Sequence, residues 1–264
     1  MVKNNKKELQ RLAEYIALQY NGKVTPIEEI VIEEELNVFY DNYENNTFDG
    51  MTIFDNGKFY IHLNLDKGNN RNTDRGRFTL AHELGHYFID SHRIGLKMGL
   101  LEPHPSITNQ KQHTLIEREA DYFASCLLMP ESRFLKDTGN KKFSFKTIDF
   151  LSTEYKVSRT AAAIRFSQIG NHPIMIVYAV NNIIMWAYSS DDFPFKSFLN
   201  DKIVPVNMVM GEYFKKGNYA DVFTTEQVWA TDCFKYVKDE DFQRKLYEHC
   251  ISYKNSALSI LWED

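Results

Sequence analysis

The run His82-Glu83-Leu84-Gly85-His86, an H-E-x-x-H pattern, constrains this chain more than any other feature. It lies in a segment whose apolar residues, from Phe78 to Phe88, recur at helical spacing. Residues four apart lie on one face of an α-helix, so both imidazoles can reach one metal ion while Glu83 lies beside them. The pattern therefore predicts a helix that carries a metal site.

A third metal ligand is expected elsewhere in the chain, because a catalytic zinc ion takes three protein ligands and leaves its fourth position to water. The next long helix carries Glu117 and Asp121 on one face, whereas Glu119 points about 160° away from Glu117. We predict that Glu117 is the third ligand and that Asp121 accepts the free N–H of a ligating histidine. The alternative is a solvated acidic helix face.

A rival third ligand is His92, six residues after His86, which is the spacing of the pattern H-E-x-x-H-x-x-G-x-x-H. That pattern needs glycine where the chain turns back toward the metal, and Ile89 occupies the position here. We therefore interpret His92 as a loop histidine and assign no role to His104 or His113 in the same loop. The remaining histidines have no partner in sequence and receive no role: His62, His172 and His249.

Glu83 has a separate role in this scheme because it cannot ligate from its helical position. Zinc would polarise a water molecule and a peptide carbonyl, and Glu83 would accept the proton of the water and pass it to the leaving amine. The pattern thus predicts peptide-bond hydrolysis with Glu83 as the general base.

Hydrophobic periodicity divides the rest of the chain into predicted helices and strands. The predicted helices cover residues 8–20, 25–35, 115–129, 145–155, 158–168 and 239–253. The predicted strands cover residues 38–40, 51–54 and 58–65, which form a small antiparallel sheet, and a hairpin of 174–180 and 183–189. Residues 91–113 are interpreted as a long loop. The fold class predicted from this order is α+β.

Composition excludes several classes of protein. The 264 residues include 43% hydrophobic and 25% charged residues, enough for a sizeable core. The three cysteines form no close pair, which favours a reducing, cytoplasmic location. We recognise no secretion signal and no apolar run long enough to span a membrane. A net charge of -5 argues against nucleic acid as a partner.

Two segments resemble the ImmA/IrrE family of metallopeptidases. They are Arg77-Phe78-Thr79-Leu80-Ala81-His82-Glu83-Leu84-Gly85-His86 and Glu117-x-x-Ala120-Asp121-x-Phe123-Ala124-x-x-Leu127-Leu128-Met129-Pro130. The resemblance extends to about Gly170. It implies a zincin-like core and a cytoplasmic, gluzincin-like zinc endopeptidase. It also supports His82, His86 and Glu117 as zinc ligands and Glu83 as the base. Asp121 stands where many relatives carry Asn, and either residue is a hydrogen-bond acceptor.

The resemblance also implies a substrate and a domain order. Relatives cleave a helix-turn-helix transcriptional repressor and thereby derepress its genes. We predict a zincin-like metallopeptidase domain at 1–144, a helix-turn-helix-like segment at 145–170, and a C-terminal mixed α/β domain at 171–264. The role of the C-terminal domain is not predicted from its residues. A sensory or a substrate-positioning role is suggested.

Two other functions stay open at this point. One is a DNA-binding regulator with a structural metal site, although residues 145–170 carry only four basic against two acidic side chains. The other is a protein that sequesters the repressor without cutting it. A sequestering protein has no need for Glu83, and this favours the peptidase.

Overall fold

The computed structural model describes residues 3–44, 47–101, 106, 114–139, 142–216 and 223–264. Within these ranges, ten α-helices and two β-sheets form a mixed α+β fold, which agrees with the predicted class. The helices are α1 (Lys3–Ala17), α2 (Ile27–Glu33), α3 (Asp74–Phe88), α4 (Asp90–Lys97), α5 (Leu115–Leu128), α6 (Glu131–Thr138), α7 (Phe145–Tyr155), α8 (Arg159–Ile169), α9 (Val209–Lys216) and α10 (Ala230–Cys233). The strands are β1 (Asn37–Asp41), β2 (Gly50–Asp55), β3 (Lys58–Asn64), β4 (Ile174–Val180), β5 (Ile183–Ser189), β6 (Phe223–Trp229), β7 (Lys245–Tyr253) and β8 (Ser256–Trp262).

The chain forms two compact units. Residues 1–136 and 151–158 make up the first, and residues 137–150 and 159–264 the second. The three regions predicted from the sequence have other limits, and their roles stay predictions. Among the helices of the described ranges, none has both the length and the apolar character needed to cross a membrane.

The first unit contains a three-stranded sheet in the order β1-β3-β2. β2 and β3 form the predicted antiparallel hairpin, but β1 runs parallel to β3, with Asn37 opposite Tyr60. The prediction of an antiparallel sheet is therefore wrong for β1. Alternation along a strand predicts which face is buried, whereas strand direction depends on the connections, which place β3 in the centre.

Helices of the first unit pack beside this sheet. α3 lies against α5 and also contacts β2 and β3, and α1 packs against α5 as well. The apolar stripe of α3 is buried, including Leu80, Ala81 and Leu84. The helix that carries the H-E-x-x-H pattern, α3, is thus held by its contacts with the sheet and with α5.

A helix stands where a loop was predicted after α3. α4 begins at Asp90, so the prediction of a loop over 91–113 is wrong for its first residues. A Cβ at Gly95 of α4 would lie 2.6 Å from Leu101 Cδ1, so this glycine lets Leu101, which follows the helix, pack closely against it. Residues 102–105 and 107–113, with His104 and His113, lie outside the described residues.

The second unit is built on a five-stranded antiparallel sheet in the order β5-β4-β8-β7-β6. The predicted hairpin of β4 and β5 is confirmed, and its turn residues Asn181 and Asn182 have φ of 48° and 66°. The predicted helix over 239–253 is wrong, since β7 occupies 245–253. β7 is buried on both faces, so its apolar residues do not alternate with polar ones and instead imitate helical spacing.

Two helices predicted between the sheets are confirmed as α7 and α8. The resemblance of this pair to a helix-turn-helix motif stays a prediction. The sequence analysis missed five elements: α6, α9, α10, β6 and β8.

A candidate metal centre

α3 positions three of the predicted site residues. Thr73 begins the helix by accepting a hydrogen bond from Gly76 N at 3.0 Å, as an N-cap residue does. A Cβ at Gly76 would lie 2.0 Å from Asn70 O, so only glycine fits this first turn. The helix then continues to Phe88 and buries His82 and His86, which are 5% and 3% exposed.

α5 brings Glu117 to the same place. Its N-cap, Thr114, accepts a hydrogen bond from Glu117 N. Gly85 allows close contact between α3 and α5, because a Cβ there would already lie 3.2 Å from Ala120 Cα. The small residues at this crossing let the Glu117 carboxylate reach the histidines of α3.

The three donor atoms form a tight cluster. His82 Nε2 lies 3.2 Å from His86 Nε2, and the Glu117 carboxylate lies 3.3 Å from each nitrogen. One ligand atom from each residue falls within 4.8 Å of the others. In a regular tetrahedron whose vertices lie about 2.0–2.1 Å from the centre, as in a zinc–imidazole bond, the edges are about 3.3–3.4 Å. This donor set, two imidazoles and a carboxylate, therefore fits a tetrahedral metal ion.

Asp121 orients one of the two imidazoles. Its Oδ1 lies 2.9 Å from His82 Nδ1, so an Nδ1–H donates to the carboxylate and Nε2 faces the cluster. Burial lowers the pKa of His82, but the hydrogen bonds to Asp121 and Glu117 outweigh burial and raise the pKa well above 6.5. A metal ion at Nε2 would compete with protons for this nitrogen.

Glu83 is completely buried beside the cluster. Its Oε2 accepts a hydrogen bond from Thr52 Oγ1 at 2.7 Å, whereas Oε1 makes no hydrogen bond of acceptable geometry among the described residues. Burial raises the pKa of Glu83, while the His82 charge and the hydroxyls of Thr52 and Ser106 act in the opposite direction. A buried carboxylate with a raised pKa and an open oxygen has the properties of a general base.

Gly50 makes room for this carboxylate. A Cβ at Gly50 would lie 2.5 Å from Glu83 Oε1 and 2.8 Å from Thr79 Cγ2. β2 thus supplies two features of the site, the Thr52 hydroxyl and a backbone without a side chain. Neither has a signal in the sequence, because both depend on the position of β2 against α3.

His92 is not one of the three clustered donors. It lies in α4, so its interpretation as a loop histidine is wrong. It is 1% exposed, and its Nε2 lies 3.1 Å from Glu119 Oε2. Its ring packs against His86, with ring centroids 5.2 Å apart. Glu119, which was predicted to point away from Glu117 on the same helix, thus pairs with His92 and not with the donor cluster.

The other described histidines are also held by structural contacts. His62 Nδ1 lies 2.8 Å from Tyr43 OH, and His172 stacks on Phe143. His249 stacks on Phe145 at a centroid distance of 3.6 Å. The reading that gave these three histidines no role is consistent with these contacts.

A family model matches the part of the chain that contains this cluster. The model of the IrrE N-terminal-like domain family, Peptidase_M78, matches residues 38–167, a range that includes His82, Glu83, His86 and Glu117. No curated protein sequence matches the chain. Among solved structures, a Mycobacterium tuberculosis transcriptional regulator is similar, with a TM-score of 0.64 and 13% identity over 99% of this chain and 77% of that chain. At that identity the likeness shows the fold alone.

Proposed function

Because residues 38–167 belong to the IrrE N-terminal-like domain family, Peptidase_M78, as the sequence motifs predicted, we propose that this chain is a zinc-dependent endopeptidase. The observation that carries the proposal is the cluster of His82, His86 and Glu117 beside a buried Glu83. The family match supports peptide-bond hydrolysis, and the donor set supports a metal ion such as zinc as the cofactor. Zinc itself is part of the proposal, since similar donors bind other divalent ions.

The donor residues divide the work. His82, His86 and Glu117 would hold the zinc ion, which supplies Lewis acidity for a peptide carbonyl and for water. Asp121 keeps the His82 imidazole in the tautomer that presents Nε2 to the ion. Such partners of metal-binding histidines fix ring orientation and raise basicity.

Glu83 would move the proton. Its Oε1 accepts the proton of the attacking water, and Thr52 holds Oε2 so that the carboxylate keeps its direction. The raised pKa allows Glu83 to keep that proton briefly and deliver it to the amine that leaves. The peptide C–N bond breaks, a C–O bond forms, and Glu83 returns to its ionised state.

The proposed substrate is a helix-turn-helix transcriptional repressor, whose cleavage derepresses its genes. The family resemblance supports this choice, and the similar M. tuberculosis protein is a transcriptional regulator. We place the reaction in the cytoplasm, where three buried cysteines without disulfide bonds stay reduced. Residues 1–144 form the zincin-like peptidase domain, 145–170 a helix-turn-helix-like segment, and 171–264 a sensory or substrate-positioning domain.

A cleavage assay tests the proposal. The zinc-loaded protein is incubated with the helix-turn-helix repressor encoded beside its gene, and the fragments are identified by mass spectrometry. A single cut that needs zinc and is absent with Glu83→Gln supports the peptidase. A stable complex without a cut would favour the sequestering protein instead.

The fold of the similar transcriptional regulator keeps a second function open, a DNA-binding regulator with a structural metal site. The α7–α8 segment would then contact DNA, although its net charge of +2 provides few phosphate contacts. Salt-dependent binding to promoter DNA would support this function. No binding to promoter DNA at low salt would rule out the DNA-binding function.

A further inference from the structure

Between residues 102 and 113, the structure describes Ser106 alone. Its backbone pairs with β2, the strand beside the candidate metal centre. Its N–H donates to Gly50 O at 3.0 Å, and its carbonyl accepts from Asp49 N at 2.8 Å. These two bonds form an antiparallel bridge at the edge of β2 that faces away from β3. Ser106 is therefore held at the strand that also supplies Thr52 to Glu83.

The Ser106 side chain points into the cluster. Its Oγ lies 3.1 Å from His82 Nε2, the nitrogen that faces His86 and Glu117, and the residue is 6% exposed. Its backbone partner, Gly50, borders the general base, since a Cβ at Gly50 would lie 2.5 Å from Glu83 Oε1. The hydroxyl thus lies at a donor nitrogen of the cluster, on the side where β2 meets Glu83.

The distances match those of a fourth ligand. His82 Nε2 is separated from donor atoms of His86, Glu117 and Ser106 by 3.2, 3.3 and 3.1 Å. These separations are close to the edge of about 3.3–3.4 Å expected for a tetrahedral zinc site. The Ser106 oxygen therefore lies within one such edge of a donor nitrogen, as a further ligand of the same ion would.

We propose that Ser106 is a fourth side-chain ligand of this centre and competes there with the attacking water. The proposal rests on the function proposed above. Catalytic zinc sites keep an open position, whereas sites with four protein ligands are closed. In the arrangement described here the centre is closed, and the peptidase is latent while the Ser106 hydroxyl is in place.

Cobalt substitution tests this without a protein substrate. The metal-free protein is loaded with Co²⁺, its visible d–d spectrum is recorded, and acetohydroxamate is titrated as a probe for an open position. We expect Ser106→Ala to change the spectrum and to tighten acetohydroxamate binding by about tenfold or more, because a competing ligand lowers apparent affinity by the fraction of open sites. Ser106→Thr, which keeps a hydroxyl, should behave like the wild type.

Ser125→Ala, a buried serine of α5, is the matched control and should leave both readings unchanged. Identical spectra and equal acetohydroxamate affinities for wild type and Ser106→Ala would overturn the role of Ser106. Failure of the wild-type chain to bind Co²⁺ at all would instead overturn the proposed metallopeptidase. Faster cleavage of the repressor by Ser106→Ala would extend the result to activity, whereas slower cleavage would make Ser106 a helper of the reaction and contradict its competition with water.

Discussion

In the part of the chain that the structure describes, each unit buries one glutamate completely, Glu83 in the first unit and Glu248 in the second. Burial raises the pKa of both. Both oxygens of Glu248 are satisfied, by the N–H groups of Val209 and Met210 at the start of α9 and by the Ser259 hydroxyl. Among the described residues, Thr52 is the one well-aligned side-chain partner of the Glu83 carboxylate.

This difference shows why burial of an acid does not by itself indicate catalysis. A carboxylate that accepts backbone hydrogen bonds on both oxygens stabilises the fold, and moving it would break those bonds. A carboxylate with an open oxygen beside metal-binding residues can accept a proton. The comparison therefore favours proton transfer as the role of Glu83 and stabilisation of the fold as the role of Glu248.

The strongest test of the comparison is Glu83→Gln. We expect the rate of repressor cleavage to fall by about 10² to 10⁴, the contribution of a general base, with zinc content unchanged. The amide is nearly isosteric but cannot accept the proton of water. Single-turnover cleavage and metal analysis of the same sample measure both quantities.

The matched control is Glu248→Gln. It should lower the free energy of unfolding by about 1–3 kcal/mol, because an amide nitrogen would face a backbone donor, yet leave cleavage by the folded protein unchanged. Loss of cleavage in this variant at full folding would break the comparison.

Gly50→Ala tests the space around Glu83 Oε1. The new methyl group would lie 2.5 Å from that oxygen, so the carboxylate must turn away. We expect cleavage to fall by about 10²-fold, the cost of roughly 1 Å of displacement in a reacting group. Gly57→Ala is the control, because its Cβ meets nothing within 4 Å and its positive φ of 80° affects stability only. Equal activities in the two variants would show that Gly50 has no role at the site.

Asp121→Ala tests the orientation of His82. Without the carboxylate the imidazole loses its partner at Nδ1, and we expect zinc affinity to fall about 10- to 100-fold. Asp121→Asn keeps an acceptor oxygen and should lose less. Competition with a chromophoric chelator gives both affinities; unchanged affinity in the alanine variant would count against the contact.

The smallest expected effect concerns His249 in the second unit. Burial lowers its pKa to about 4, from 6.5, with Asp149 raising it and Arg159 lowering it further. The unfolded chain therefore binds the proton first as pH falls, so the stability from neutral His249 is full above about pH 6.5 and is lost toward pH 4.

Chemical unfolding at pH 7 and pH 4.5 measures this loss. We expect His249→Gln, which cannot titrate, to lose about 1–2 kcal/mol less between the two pH values than the wild type. Parallel pH profiles for the two proteins would place the acid sensitivity in other groups.

The sequence predicted the parts of the site that depend on local geometry. The H-E-x-x-H helix follows from spacing within α3, and the choice of Glu117 and Asp121 over Glu119 follows from 3.6 residues per turn in α5. Each inference needs only one helix at a time.

The parts that the sequence did not predict depend on contacts between distant segments. Gly50, Thr52 and Ser106 meet Glu83 and His82 only because of where β2 packs, and no spacing encodes this. β7 was mistaken for a helix because strands buried on both faces lose alternation. The parallel direction of β1 likewise depends on the sheet as a whole.

The central claim is that Glu117 completes a metal centre with His82 and His86. Calorimetric titration of the metal-free protein with zinc tests it, with Glu117→Ala compared against Glu119→Ala, a buried acid two residues away that pairs with His92. The account predicts one tight site per chain in the wild type and in Glu119→Ala, and its loss in Glu117→Ala. A tight site retained in Glu117→Ala but lost in Glu119→Ala would contradict it and move the third ligand to the His92 side of α5.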